Sequence, residues 1–208
     1  MENFSQYSED FSINLTGVND DINLHLSTLF LELQDIFTST YIFRAVDDEW
    51  DKRVCEKEIP DYSTVRTILY EALVYRIILG LSKIFANHKE YSLLKATNQI
   101  EQLYHHNKEA RNTIGEIRKK IDTSPMIPKI RTFRDKFFAH LDKENVLLYF
   151  RYDPTSAVKY VDCNEIEEWL SLVGKLYKAC FEVDLPRKTQ MPTKEEIVHT
   201  FFGEVIVP

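Results

Sequence analysis

The chain has 208 residues, 44% of them hydrophobic, and carries a formal net charge of −7. That length and composition suit one well-packed domain with tails, and the net acidity argues against a protein that coats nucleic acid through bulk charge. Five glycines and seven prolines leave little room for the turns of an all-β sandwich, and the apolar residues recur at helical spacing, so the predicted class is all-α.

Residues 1–18 read as a loose or docked arm, polar and acidic, without the features of a secretory signal or transit peptide. A first long helix is predicted from Asn19 or Asp20 to about Val46, with Ile22, Leu26, Leu29, Leu33, Ile36 and Phe37 on one buried face. DDEWDKRVCEKEIPDY follows as a charged connector. Asp61 is the expected N-cap of a second helix running to about Asn87, and its YEALVYRIILGLSKIF segment is apolar nearly all round, as a central helix packed on several sides would be. Its most apolar run, Ile77 to Leu81, is too short and too closely flanked by Glu71, Arg76 and Lys83 to span a bilayer.

A third helix is expected over about 90–105 through Leu93, Leu94, Ile100 and Leu103, and a fourth through Ala110, Ile114, Ile117 and Ile121. TSPMIP stops that helix and restarts the chain, with Thr123 or Ser124 as cap and Pro125 and Pro128 in the first turn of a fifth helix over about 125–142. VLLYFRYDPTSAVKYV at 146–161 is rich in β-branched and aromatic residues around a DPTS turn, the pattern of a small hairpin or extended lid. Asp162 with Glu165 reads as a capping box for a last long helix buried through Ile166, Leu170, Val173, Leu176, Tyr177, Cys180 and Phe181. The expected division is an arm at 1–18, a helical domain at 19–184 and a tail at 185–208, whose EEIVHTFFGEVIV stretch makes either one more helical turn or an extended segment across the body.

Cys55, Cys163 and Cys180 are far apart and odd in number, so neither a disulfide framework nor a zinc site is expected, and His105 and His106 have no partner at ligand spacing. No cofactor, metal or membrane contact is anticipated, and the expected compartment is the cytoplasm.

The chemistry concentrates at RDKFFAHLDK, residues 134–143. Ile130, Phe133, Phe137, Phe138 and Leu141 form one apolar stripe on a helix, while Arg134 and His140 fall within or beside it, about 120° apart. Arg131, Thr132, Asp135 and Ala139 point more nearly outward. A buried guanidinium without a partner costs several kcal/mol, so Arg134 is expected to meet a carboxylate, a partner subunit or an anionic ligand. Residues 108–136 hold nine basic side chains against four acidic ones, a local basic excess able to hold an anionic substrate on an otherwise acidic body. With ten arginines and six histidines, an arginine followed at this spacing by a histidine arises roughly once by chance. The weight rests on its context: an amphipathic helix, an acid directly after the arginine, and the basic segment around it.

These residues resemble the signature of HEPN domains (higher eukaryotes and prokaryotes nucleotide-binding), an arginine, an adjacent polar residue and a histidine five to seven positions after the arginine, matched here by Arg134, Asp135 and His140. AHLDK is similar to the ending common in the abortive-infection, AbiU-like branch, and YEALVYRIILGLSKIF to its long central helix; the resemblance covers about residues 20–184. It departs at Asp135, where the branch more often has asparagine. The resemblance implies a bundle of about five to six helices and a metal-independent endoribonuclease, often a toxin or phage-defence effector, acting on RNA as a homodimer and sometimes held by an antitoxin protein. Arg134 and His140 would be catalytic and Asp135 would orient them, with Lys129, Arg131 and Lys136 holding the RNA backbone. Two other readings stay open: a non-catalytic HEPN module that binds a nucleotide, nucleic acid or partner protein, and a structural adaptor with Arg134 in a buried salt bridge.

Overall fold

The computed structural model describes residues 20–56, 64–86, 91–137, 158, 161–187 and 191–203, and the side chains at 64–67, 136 and 137 lie outside that description. Seven helices are found among the described residues, with no strand: α1 Asp20–Cys55, α2 Thr64–Ile84, α3 Leu93–Leu103, α4 Lys108–Thr123, α5 Met126–Phe137, α6 Cys163–Phe181 and α7 Lys194–Phe202. None is long and apolar enough to cross a membrane.

The spine is α1, whose 36 residues reach about 54 Å. Asp20 and Asp21 in its first turn and Lys52 and Arg53 in its last oppose the helix dipole at both ends. It runs nine residues beyond the predicted stop, so the charged connector begins as helix. The reason is tertiary. Trp50 is buried, its ring 5.5 Å from that of Phe202, and the Arg53 guanidinium lies 4.8 Å over the same Phe202 ring while pairing with Glu49 one turn back at 2.9 Å. Phe202 belongs to α7, so the tail supplies the apolar cover that carries α1 onward. Of the two conformations expected for the tail, the helical one forms, started by a capping box between Thr193 and Glu196 and seated on α1 through buried Ile197.

α2 crosses α1 antiparallel. The Tyr70 hydroxyl donates to Asp47 Oδ1 at 2.7 Å, Arg76 pairs with Glu32 at 3.2 Å and Asp35 at 3.0 Å, and Gly80 meets Ile36. The start of α2 thus meets the later part of α1, at Asp47, and its end meets the 32–36 stretch. Gly80 allows the close approach, since a Cβ there would stand 2.7 Å from Ile36 Cδ1. The expected N-cap Asp61 lies outside the described residues.

α3 and α4 are capped by Ser92 and Asn107, and the Asn107 amide also donates to the Ala179 carbonyl of α6 at 2.6 Å. α6 packs on both α1 and α4 and contributes fully buried Trp169, whose ring is 4.9 Å from that of Phe85 at the end of α2. Its predicted capping box does not form, and Asp162 acts as a simple N-cap. Asp162 accepts from the Asn164 N–H at 2.9 Å, but Glu165 turns away from the cap toward buried partners described below. The hairpin expected at 146–161 falls almost wholly outside the described residues; Val158 and Val161 at its end are buried, and Arg44 donates to the Val161 carbonyl at 2.6 Å.

Candidate functional site

The motif helix α5 starts where TSP interrupts α4. The Ser124 hydroxyl oxygen accepts the Ile127 N–H at 3.2 Å, so of the two candidate caps Ser124 is the one that supplies the capping bond, with Pro125 just ahead of the first helical residue, Met126. Ser124 in turn donates its proton to Glu165 Oε1 of α6, which also receives the Trp169 indole N–H at 3.4 Å. Glu165 is 8% exposed. A carboxylate in that position is tolerated because both donors converge on it and because it sits at the positive end of α5.

From this anchor α5 buries Met126, Ile127 and Ile130 and half-buries Phe133. Arg131, expected to face outward, instead reaches across to α2 and donates to the Phe85 carbonyl at 2.9 Å. That carbonyl lies just beyond the last turn of α2, where carbonyls lack helical partners and a cation opposes the helix dipole. A residue assigned to RNA contact thus ties α5 to α2.

Arg134 is partly buried, with 35% of its side chain exposed. Its Nε and one terminal nitrogen both donate to Oδ1 of Asp135, at 2.8 and 2.5 Å. The guanidinium therefore has the carboxylate partner that its position demanded, supplied by the adjacent residue and not by the central helix. Asp135 itself is more than half exposed. Lys129 is exposed. His140 and the side chain of Lys136 lie outside the described residues, so the histidine half of the motif has no geometry to report.

The basic excess of residues 108–136 is not spread as one open face. Arg118 pairs with Glu101 at 2.6 Å and also donates to Asn98, and Lys120 pairs with Glu168 while its ammonium stands 5.1 Å over the Trp169 ring. Acids of α3 and α6 thus neutralise two of these cations. The hydrogen bond from Arg118 holds the Glu101 carboxyl below its ordinary range.

Other chemistry is limited. Burial pushes the Cys180 thiol up to about 12 and also raises that of Cys163, so neither offers a thiolate at neutral pH. His105 and His106 sit in the turn after α3, not on a helix, and their exposed rings approach to 3.7 Å. No group of three or more metal-ligating side chains gathers among the described residues. A cleft of about 140 Å³ lies between Gln34, Phe37, Leu170, Arg187 and Met191, away from α5.

Sequence reasoning missed Ser124 with Glu165 and Trp169. The signal was present in part, since Glu165 stands at the third position of a helix that Asp162 caps and four residues before a tryptophan, but its partner is 41 positions away in the chain.

The HEPN family model for AbiU2 matches residues 63–179, a span that holds α2 through most of α6 together with the whole Arg134 to His140 motif. No curated protein and no solved structure matches the chain.

Proposed function

The chain belongs to the AbiU2 family of HEPN domains, and from that premise we propose that it is a metal-independent endoribonuclease of an abortive-infection system, working as a homodimer. The observation that carries the reading is Arg134: a partly buried cation, about a third of it exposed, held by one oxygen of an exposed neighbour. Cleaving RNA without a metal requires a fixed cation where charge builds on the phosphorane oxygens and a group that moves a proton near neutral pH. Arg134 has the planar fork of donors for the first task, Asp135 keeps that fork oriented, and His140 supplies an imidazole, the side-chain type suited to the second. Attack by the neighbouring 2′-hydroxyl would leave a 2′,3′-cyclic phosphate and a 5′-hydroxyl. One chain brings a single motif histidine, and a two-fold axis beside α5 would bring a second. An antitoxin protein covering Arg134 would silence the site.

A second reading is favoured by the neutralised cations. With Arg118 and Lys120 paired and Arg131 bonded to α2, the described face is less basic than its composition, which suits a module that binds a nucleotide or a partner protein without turnover.

The deciding experiment is cleavage of labelled RNA in EDTA by wild type and His140→Ala in parallel, with oligomeric state measured on both. Cutting by wild type alone, leaving cyclic-phosphate ends, is the expected result. Equal cutting by both overturns the Arg134–His140 mechanism, and no cutting from folded wild type across a broad RNA panel overturns the nuclease reading in favour of the binding module.

A further inference from the structure

We infer that Glu165 is a positioning residue for the motif helix, acting through Ser124 to fix the rotation and height of α5 and so the place of Arg134; the link to catalysis rests on the nuclease reading above. The geometry is a buried clamp. Glu165 Oε1 accepts hydrogen bonds from the Ser124 hydroxyl and the Trp169 indole N–H, while the same Ser124 oxygen accepts the N–H of Ile127 in the first turn of α5. Trp169 cannot shift in response, because it is fully buried against Phe85 with Lys120 over its face. The cap of α5 is therefore referenced to α6.

A second reference comes from α2. Arg131 donates to the Phe85 carbonyl, and Phe85 is also the ring packed on Trp169. The two ties thus close on one another through a single aromatic pair. The described part of α5 is 12 residues long, helices of this kind take most of their stability from tertiary packing, and a slip of one residue would turn Arg134 by about 100°. A buried carboxylate is an expensive way to fill space, since an apolar residue of similar size packs there at less cost. What it supplies is directional: two convergent acceptor bonds and a negative charge at the N-terminus of α5.

The clamp separates two variants. Glu165→Gln keeps an acceptor oxygen for Ser124 and Trp169 and loses the charge, whereas Glu165→Leu keeps the volume and loses both bonds. Amide hydrogen exchange on the full chain is expected to speed at the first amides of α5 by about tenfold in Glu165→Leu, with α1 and the C-terminal half of α6 unchanged and Glu165→Gln close to wild type. In the RNA assay kcat should fall by about tenfold or more in Glu165→Leu with KM within about twofold, and Glu165→Gln should recover most of it. Ser124→Ala, a milder change, should show the same pattern if Glu165→Leu folds poorly. Exchange that rises equally in all helices, or stays flat in α5, overturns the clamp. So does a fall in kcat that Glu165→Gln fails to rescue and α5 exchange does not accompany. If folded wild type cuts no RNA, the nuclease reading fails by itself, and the α5 exchange pattern still decides the clamp.

Discussion

Two helical glycines, Gly80 and Gly115, predict opposite outcomes for the same substitution. Alanine in place of glycine in an exposed helix interior gains about 0.5–1 kcal/mol from lower backbone entropy in the unfolded chain. At Gly115 of α4 an added Cβ meets nothing within 4 Å, so the full gain should appear. At Gly80 of α2 the same atom would stand 2.7 Å from Ile36 Cδ1, 3.0 Å from Ile36 Cγ1 and 3.2 Å from Glu32 Oε1. Ile36 is fully buried, and Glu32 is held by Arg76, so neither can move aside freely. Overpacking of this kind costs about 1–3 kcal/mol. Subtracting the propensity gain leaves a net loss of about 0–2.5 kcal/mol at Gly80. For a chain of this size each kcal/mol moves Tm by about 2–4 °C. Gly115→Ala should therefore melt a few degrees above wild type and Gly80→Ala a few degrees below, with matching shifts of the urea midpoint at constant m value. A rise in Gly80→Ala equal to that in Gly115→Ala would refute the close approach of α1 and α2.

Glu182, which ends α6 with φ 59°, occupies left-handed backbone that disfavours a side chain by about 1 kcal/mol; Glu182→Gly should raise the urea midpoint, and an unchanged midpoint would mean that the carboxylate side chain offsets the strain. His25, 5% exposed between α1 and α3, is held below the ordinary histidine value of 6.5 by burial first, with the charge of Lys95 acting the same way and the hydrogen bond to Gln99 opposing. The folded state thus binds fewer protons than the unfolded one, so this stability is present above pH 6.5 and is lost as pH falls below it until His25 protonates within the fold. Urea midpoints at about pH 7.5 and about pH 5.5 should differ more in wild type than in His25→Leu, and equal differences would sink the argument.

The helices that carry the core were legible because their apolar periodicity is strong: α3, α4 and α6 lie close to where spacing put them. The spacing stops α1 at Val46 since DDEWDK looks like solvent-exposed connector; Phe202, arriving from α7 about 150 residues away, packs against Trp50 and helps make it a core residue. Capping errors had the same origin. Asp162 with Glu165 is a sound local box, but a buried donor pair from Ser124 and Trp169 offered Glu165 more than one exposed N–H could. Charge was the least legible property. A count of cations along 108–136 says nothing of Glu101 and Glu168, which lie outside that stretch and approach Arg118 and Lys120 only in the fold.

That redistribution of charge bears on how the site would meet a phosphate. Arg131 is turned to the end of α2, and Arg134 stands on Oδ1 of Asp135 in a pair open to solvent. An exposed pair of this kind contributes about 0–1 kcal/mol, so a phosphate that draws the guanidinium off Asp135 loses little, whereas a buried partner would have held it at a cost of several kcal/mol. On the nuclease reading Asp135 is thus a placeholder that keeps the fork ordered between encounters. An asparagine at that position would orient the arginine without a charge to repel the incoming phosphate. Asp135→Asn should then lower KM for RNA while leaving kcat close to wild type, and a raised KM would mean that the carboxylate draws the arginine into place more than it competes for it.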